Sequence, residues 1–189
     1  MTISLKSTVA APVAAYPALK SSIVLFDCNP GTRSWTVPEG VSQIRAFVVG
    51  GGGGGLYTGT YASGAGGGYA EKVITVTPGQ IISYTVGAGG NIGTPTGNSG
   101  GTSSFGSVIS ATGGGGGPES GSAAGGSGTG GDINKSGGNG SAGTSGGGGG
   151  GAGHAYGNGS PGSAQSGGGF NGLRSTVDGW GIGMLPGGD

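Results

Sequence analysis

Reactive side chains are scarce along this chain. It holds one histidine, His154, and one cysteine, Cys28, too few to assemble the three or four soft ligands of a metal site. The carboxylates Asp27, Glu39, Glu71, Glu119, Asp132, Asp178 and Asp189 fall singly, with no spaced pair for acid and base work. A serine triad would have to be built around His154, and no G-x-S-x-G elbow follows a strand-like run. The stretch "TGGDINKS" approaches a phosphate loop, but Thr129 and Asn134 stand where that loop needs glycine. "GGSGTGGD" approaches a calcium-binding nonapeptide, with its aspartate at the wrong offset and no tandem repeat. The expectation is a protein without enzyme activity, cofactor or metal. A single cysteine forms no internal disulfide, and Cys28 is expected to be a buried, inert thiol.

What remains for chemistry is contact. Tyr57, Tyr61, His154 and Tyr156 lie in the inserts between glycine blocks, and loop aromatics on a rigid support suit recognition of sugars or protein edges. The same residues would equally seal the ends of a glycine bundle or pack against a sister subunit. Trp35 and Phe47, inside strand-like runs, are expected in the core.

The support for these residues has an unusual composition. Of 189 residues 56 are glycine, and only 7% are charged, against about 25% in ordinary soluble domains. Seven basic residues balance seven acidic ones, so no basic stripe exists to neutralise phosphates, and nucleic acid is not an expected partner. No stretch approaches the ~18 apolar residues that would mark a membrane span.

Four zones follow in order. Residues 1–22 read as an extended docking arm rather than a cleaved leader, because Pro12 and Pro17 interrupt its apolar run. Tyr16, Pro17 and Leu19 are its expected anchors. Residues 23–112 carry the strand signal: a short buried run at Ile23–Phe26, then "RSWTVPEGVSQIRAFVVG" with a turn at Pro38–Gly40. In that second run Ile44, Ala46 and Val48 share one face and Arg45, Phe47 and Val49 the other, which predicts burial on both sides. "GGYAEKVITVTPGQIISYTVGAGG" is a hairpin, with Pro78-Gly79 suited to the centre of a type II turn. A last strand is expected between Thr102 and Thr112. Residues 113–169 hold further glycine blocks, and residues 170–189 bring back large apolar side chains as a closing segment or subunit contact.

Glycine-rich text is by default a flexible linker. The alternative is the polyglycine II helix, with three residues per turn, ~3.1 Å rise and no internal hydrogen bonds. Packed side by side, such helices satisfy each other's amides, and a Cβ would hold them apart. Placement favours packing. Gly50–Gly55 continues from one strand, Gly66–Gly68 feeds the next, and both ends of the excursion are therefore anchored. Gly50, Gly53, Gly115, Gly148 and Gly168 are expected scaffold glycines. The predicted class is all-β: a small sandwich or jelly roll continued by a polyglycine II bundle.

"WTVPEGVSQIRAFVVGGGGGG", "GGGYAEKVITVTPGQIISYTVGAGG" and "GGTSSFG" resemble the glycine-rich domain of bacteriophage tail and fibre proteins, over about residues 30–117 and more loosely to 169. The block architecture is also similar to that of T-even-like tail-fibre tip adhesins, which carry a larger N-terminal attachment domain than the short arm here. The resemblance implies a virion protein of tail or fibre. Its arm would meet another virion protein, its loops a bacterial surface glycan or outer-membrane protein, and self-association, with a trimer as first expectation, would bury further surface. A virion structural or decoration protein without host binding is the alternative. An ice-binding or matrix protein would show a strict G-x-x repeat or several disulfides, and neither is present.

Overall fold

The computed structural model describes residues 25–56, 62–142 and 147–163, and its regular elements are all β-strands. They are β1 (Gly31–Thr36), β2 (Gln43–Val49), β3 (Tyr69–Thr75), β4 (Ile81–Val86), β5 (Ser103–Phe105), β6 (Ile109–Ala111), β7 (Gly128–Thr129) and β8 (Ile133–Lys135). One antiparallel sheet has the order β1-β4-β5-β6-β7, and a second has the order β2-β3-β8. The two form a small sandwich. Val37, Val76 and Ile82 are buried between them, with Trp35, Val41, Ile44, Ile74 and Phe105 packed around. Trp35 meets Phe105 at a centroid distance of 6.2 Å, so this tryptophan sits at the core as its strand context predicts.

The turns follow their residues. At Pro78-Gly79, Gly79 has φ 79°, which a type II turn demands and a side chain would resist. The expected last strand from Thr102 to Thr112 is instead the tight β5–β6 hairpin, reversed at Gly106 with φ 56°. Three further expectations are corrected. Leu25 and Phe26, the described part of the Ile23–Phe26 run, lie outside any strand and are 60% and 63% exposed, since no neighbouring strand pairs with them. Cys28 is exposed on the same stretch. Phe47 is 47% exposed, because only the Ile44 face of β2 meets the other sheet and the Arg45 face looks outward.

Above the sandwich the glycine segments bond to one another through their backbones, and the pattern repeats every three residues. The amides of Gly50, Gly53 and Leu56 donate to the carbonyls of Gly68, Ala65 and Ala62. Those of Gly51 and Gly54 donate to Gly101 and Asn98, a different neighbour. The carbonyls of Gly52 and Gly55 accept from Gly90 and Gly93, and those of Gly51 and Gly54 accept from Gly114 and Gly117. A β-strand has two neighbours in its sheet. Segment 62–68 has five, bonding to 50–56, 112–117, 123–127, 136–141 and 147–153, so the array is stacked in three dimensions.

Packing this close excludes side chains. A Cβ on Gly50 would overlap the carbonyl of Thr112, and one on Gly53 that of Gly115. A Cβ on Gly115 would sit 3.2 Å from the Ala124 carbonyl oxygen. Gly148 donates to Ser163 at 2.8 Å and accepts from Ser141 at 3.0 Å. These four expected scaffold glycines lie within the bonded array; Gly168 lies outside the described residues.

Candidate functional site

Strand direction sorts the loops into two sets. Four segments leave the sandwich: 50–56 after β2, 87–93 after β4, 112–117 after β6 and 136–141 after β8. Segments 62–68, 97–101 and 123–127 return to β3, β5 and β7, and 147–153 returns beside 62–68, with Gly150 and Gly153 donating to Gly64 and Gly67. Among the described residues, the reversals 94–96 and 118–122, which join outgoing segments to their returns, therefore lie at the end away from the sheets. Leu56, 5% exposed, bonds to Ala62 there and closes the base of the first reversal. Tyr57 and Tyr61 lie outside the described residues, as do the arm residues Tyr16, Pro17 and Leu19.

His154 and Tyr156 belong to the other end. They form a tight turn between 147–153 and 157–163, closed by reciprocal bonds of 3.0 and 3.1 Å between His154 and Gly157. The Tyr156 amide also donates to His154 Nδ1 at 3.3 Å, with the two rings 6.5 Å apart. Just before this turn, Gly153 packs against the carbonyls of Lys135 and Ser136, where β8 ends. The fold therefore places this pair beside the three-stranded sheet, a full segment length from the distal reversals. Tyr156 is 81% exposed.

The sheet face next to the turn carries an ion pair not anticipated from sequence. Register places Phe47 opposite Glu71 and Val49 opposite Tyr69, so Arg45, Phe47, Tyr69 and Glu71 share the outer face and meet along its diagonals. Phe47 stacks on Tyr69 at 6.3 Å and 20°. Arg45 Nε donates to Glu71 Oε1 at 2.5 Å, and the Tyr69 hydroxyl donates to Glu71 Oε2. Glu71 and Tyr69 are buried, while the Arg45 side chain stays 65% exposed. Burial pushes the Glu71 carboxyl up, but the bonds from Arg45 and Tyr69 outweigh it and hold the group below its ordinary range. Burial, reinforced by Glu71, drives the Tyr69 phenol well above its ordinary value. Tyr156 lies close enough to act electrostatically on both Arg45 and Tyr69. The available signal in the sequence was Arg45 and Glu71 at matching parity on paired strands.

Two smaller networks pin the edges. Asp27 accepts from the Asn29 amide, the Tyr84 hydroxyl at 2.9 Å and Arg33 at 3.1 Å, which fixes the chain ahead of β1. Asp132 accepts from Lys72 and from the Val73 amide, both at 3.1 Å, tying the β7–β8 turn to β3. "TGGDINKS" thus carries the chain from β7 in one sheet into β8 in the other, turning with Gly130 at φ 77°. Among the described residues no three His, Cys, Asp or Glu side chains gather where a metal ion would bind.

Fold and surface together define a β-sandwich whose strands run into a backbone-bonded glycine array. The family model of the glycine-rich domain matches residues 27–188, and the chain belongs to that family. No curated protein matches it.

Proposed function

We propose that this protein is a bacteriophage tail or fibre component that binds the host surface through the reversals at the distal end of its glycine array. In this reading the glycine segments are polyglycine II helices, a rigid and catalytically silent support. The observation that carries the proposal is the sorting of segments: outgoing and returning segments alternate, and the described reversals 94–96 and 118–122 lie at the end away from the sheets. Loops held on such a support vary in sequence without disturbing it, because the array bonds through backbone alone. The likeness of "WTVPEGVSQIRAFVVGGGGGG" and the segments after it to tail and fibre proteins supplies the biological context. The arm at residues 1–22 would dock on another virion protein, and a homotrimer would bury further surface.

Adsorption tests the proposal. Purified protein should bind host cells, and serum raised against it should block attachment of the phage. Absence of both effects, with the protein still present in mature particles, would replace host binding by a structural or decorating role.

A further inference from the structure

We propose that the outer face of the three-stranded sheet is a second binding site, which takes an acidic saccharide: sugar rings lie on Phe47 and Tyr156, and the sugar carboxylate meets Arg45 and Lys135. The site lies on the sheet, remote from the distal reversals, and does not depend on their binding a host.

Four observations converge on this face. First, it presents aromatic surface to solvent: Phe47 is 47% exposed and backed by Tyr69, and Tyr156, within electrostatic reach of Arg45 and Tyr69, is 81% exposed. Flat aromatic surface of this kind accepts the C–H faces of sugar rings while leaving their hydroxyls wet. Second, Arg45 is held in place. Its inner nitrogen, Nε, is committed to Glu71, and with the side chain 65% exposed its terminal nitrogens face solvent. Such a fixed planar fork recognises a carboxylate with two parallel bonds.

Third, the acid behind it is buried. Glu71 is 6% exposed and hydrogen-bonded at both oxygens. With the Arg45 side chain mostly exposed, solvent screens the pair and its net contribution to stability is small. Its effect here is to orient the guanidinium. Fourth, the charge balance favours an anion. Arg45 and Glu71 cancel, and Lys135, directly opposite Tyr69 on β8, adds one positive charge to the same face. The nearby Asp132 is already engaged by Lys72 and the Val73 amide.

The test uses the full chain and three probes: an oligogalacturonate, its methyl ester and a neutral dextran oligomer, each titrated calorimetrically. The oligogalacturonate should bind, and the ester and dextran should bind at least about tenfold more weakly. Arg45→Lys keeps the charge but loses the fork, and should weaken oligogalacturonate binding by about tenfold. Tyr156→Ala, at an exposed turn position, should do the same without affecting the fold, and Glu39→Gln in the exposed turn between β1 and β2 should change nothing. Four results would overturn the proposal. They are no binding by the parent protein, equal binding of ester and acid, parental affinity in both site variants, and sedimentation showing that Tyr156→Ala dissociates an oligomer whose interface this face forms.

Discussion

Adjacent glycines in the first block should respond to the same substitution with opposite sign. Gly53 and Gly52 are both in segment 50–56, one residue apart. A Cβ at Gly53 would overlap the Gly115 carbonyl and come within 2.9 Å of the Gly114 oxygen. Relief requires segment 112–117 to move away, and that segment is held by the bonds Gly114 to Gly51 at 2.9 Å and Gly117 to Gly54 at 2.8 Å, on either side of the intrusion. Losing both leaves buried amides and carbonyls unpaired, at about 1–3 kcal/mol each. Gly53→Ala should therefore cost about 3 kcal/mol or more. A Cβ at Gly52 has its nearest neighbour at 3.9 Å, an ordinary contact. Gly52→Ala should then leave stability unchanged or raise it by about 0.4–1 kcal/mol, through the smaller entropy of the unfolded chain. Differential scanning calorimetry of the two variants reads the contrast. At about 2–4 °C per kcal/mol, Gly53→Ala should lower the melting temperature by roughly 6–12 °C and Gly52→Ala should not lower it. Equal shifts in the two variants would refute the close approach of these backbones.

The buried network on the sheet face makes two predictions about pH. Because the folded Glu71 carboxyl titrates below its ordinary value near 4.5, its contribution to stability is present above that value and is lost as pH falls through the folded one. The melting-temperature gap between parent and Glu71→Gln should be widest near neutrality and close in acid, and a gap independent of pH would remove Glu71 from the acid response. Tyr69 has the opposite sign: its folded phenol is raised, so its contribution is complete below about pH 10 and is lost as pH rises through the folded value. Phenolate absorbance should show a late-ionising tyrosine that disappears in Tyr69→Phe, and a titration with no late phase in the parent would contradict the burial.

The parts of the fold most legible in the sequence were those with local causes. Pro78-Gly79 announced its own turn, and the alternation through Val73–Val76 and Ile82–Val86 announced the strands on either side. What escaped depended on partners. β7 and β8 are two and three residues of glycine, threonine, isoleucine, asparagine and lysine, with no apolar period; pairing with β6 and β3 makes them strands. On β2 both parities are apolar enough to be inside, and which one is depends on where the second sheet lies. Arg45 was the hint that Phe47 faces outward, and it was outweighed by Phe47 and Val49 around it. The Arg45–Glu71–Tyr69 cluster needed the β2–β3 register, which the sequence does not print. His154 and Tyr156 were visible as an insert between glycine blocks, but the direction of 147–153, and hence the end they occupy, follows from its pairing with 62–68.

A ladder that repeats every three residues and reads only main-chain atoms carries no record of its own origin. Sliding one glycine segment past its neighbour by a single repeat would restore nearly all its bonds, so alignment must be dictated from outside, by the strands that clamp each segment at its root and by side chains such as Leu56 at its tip. The sandwich is then the ruler against which the array is measured. Lengthening a paired excursion in steps of three extends the ladder, whereas adding one or two residues turns every later amide away from its partner.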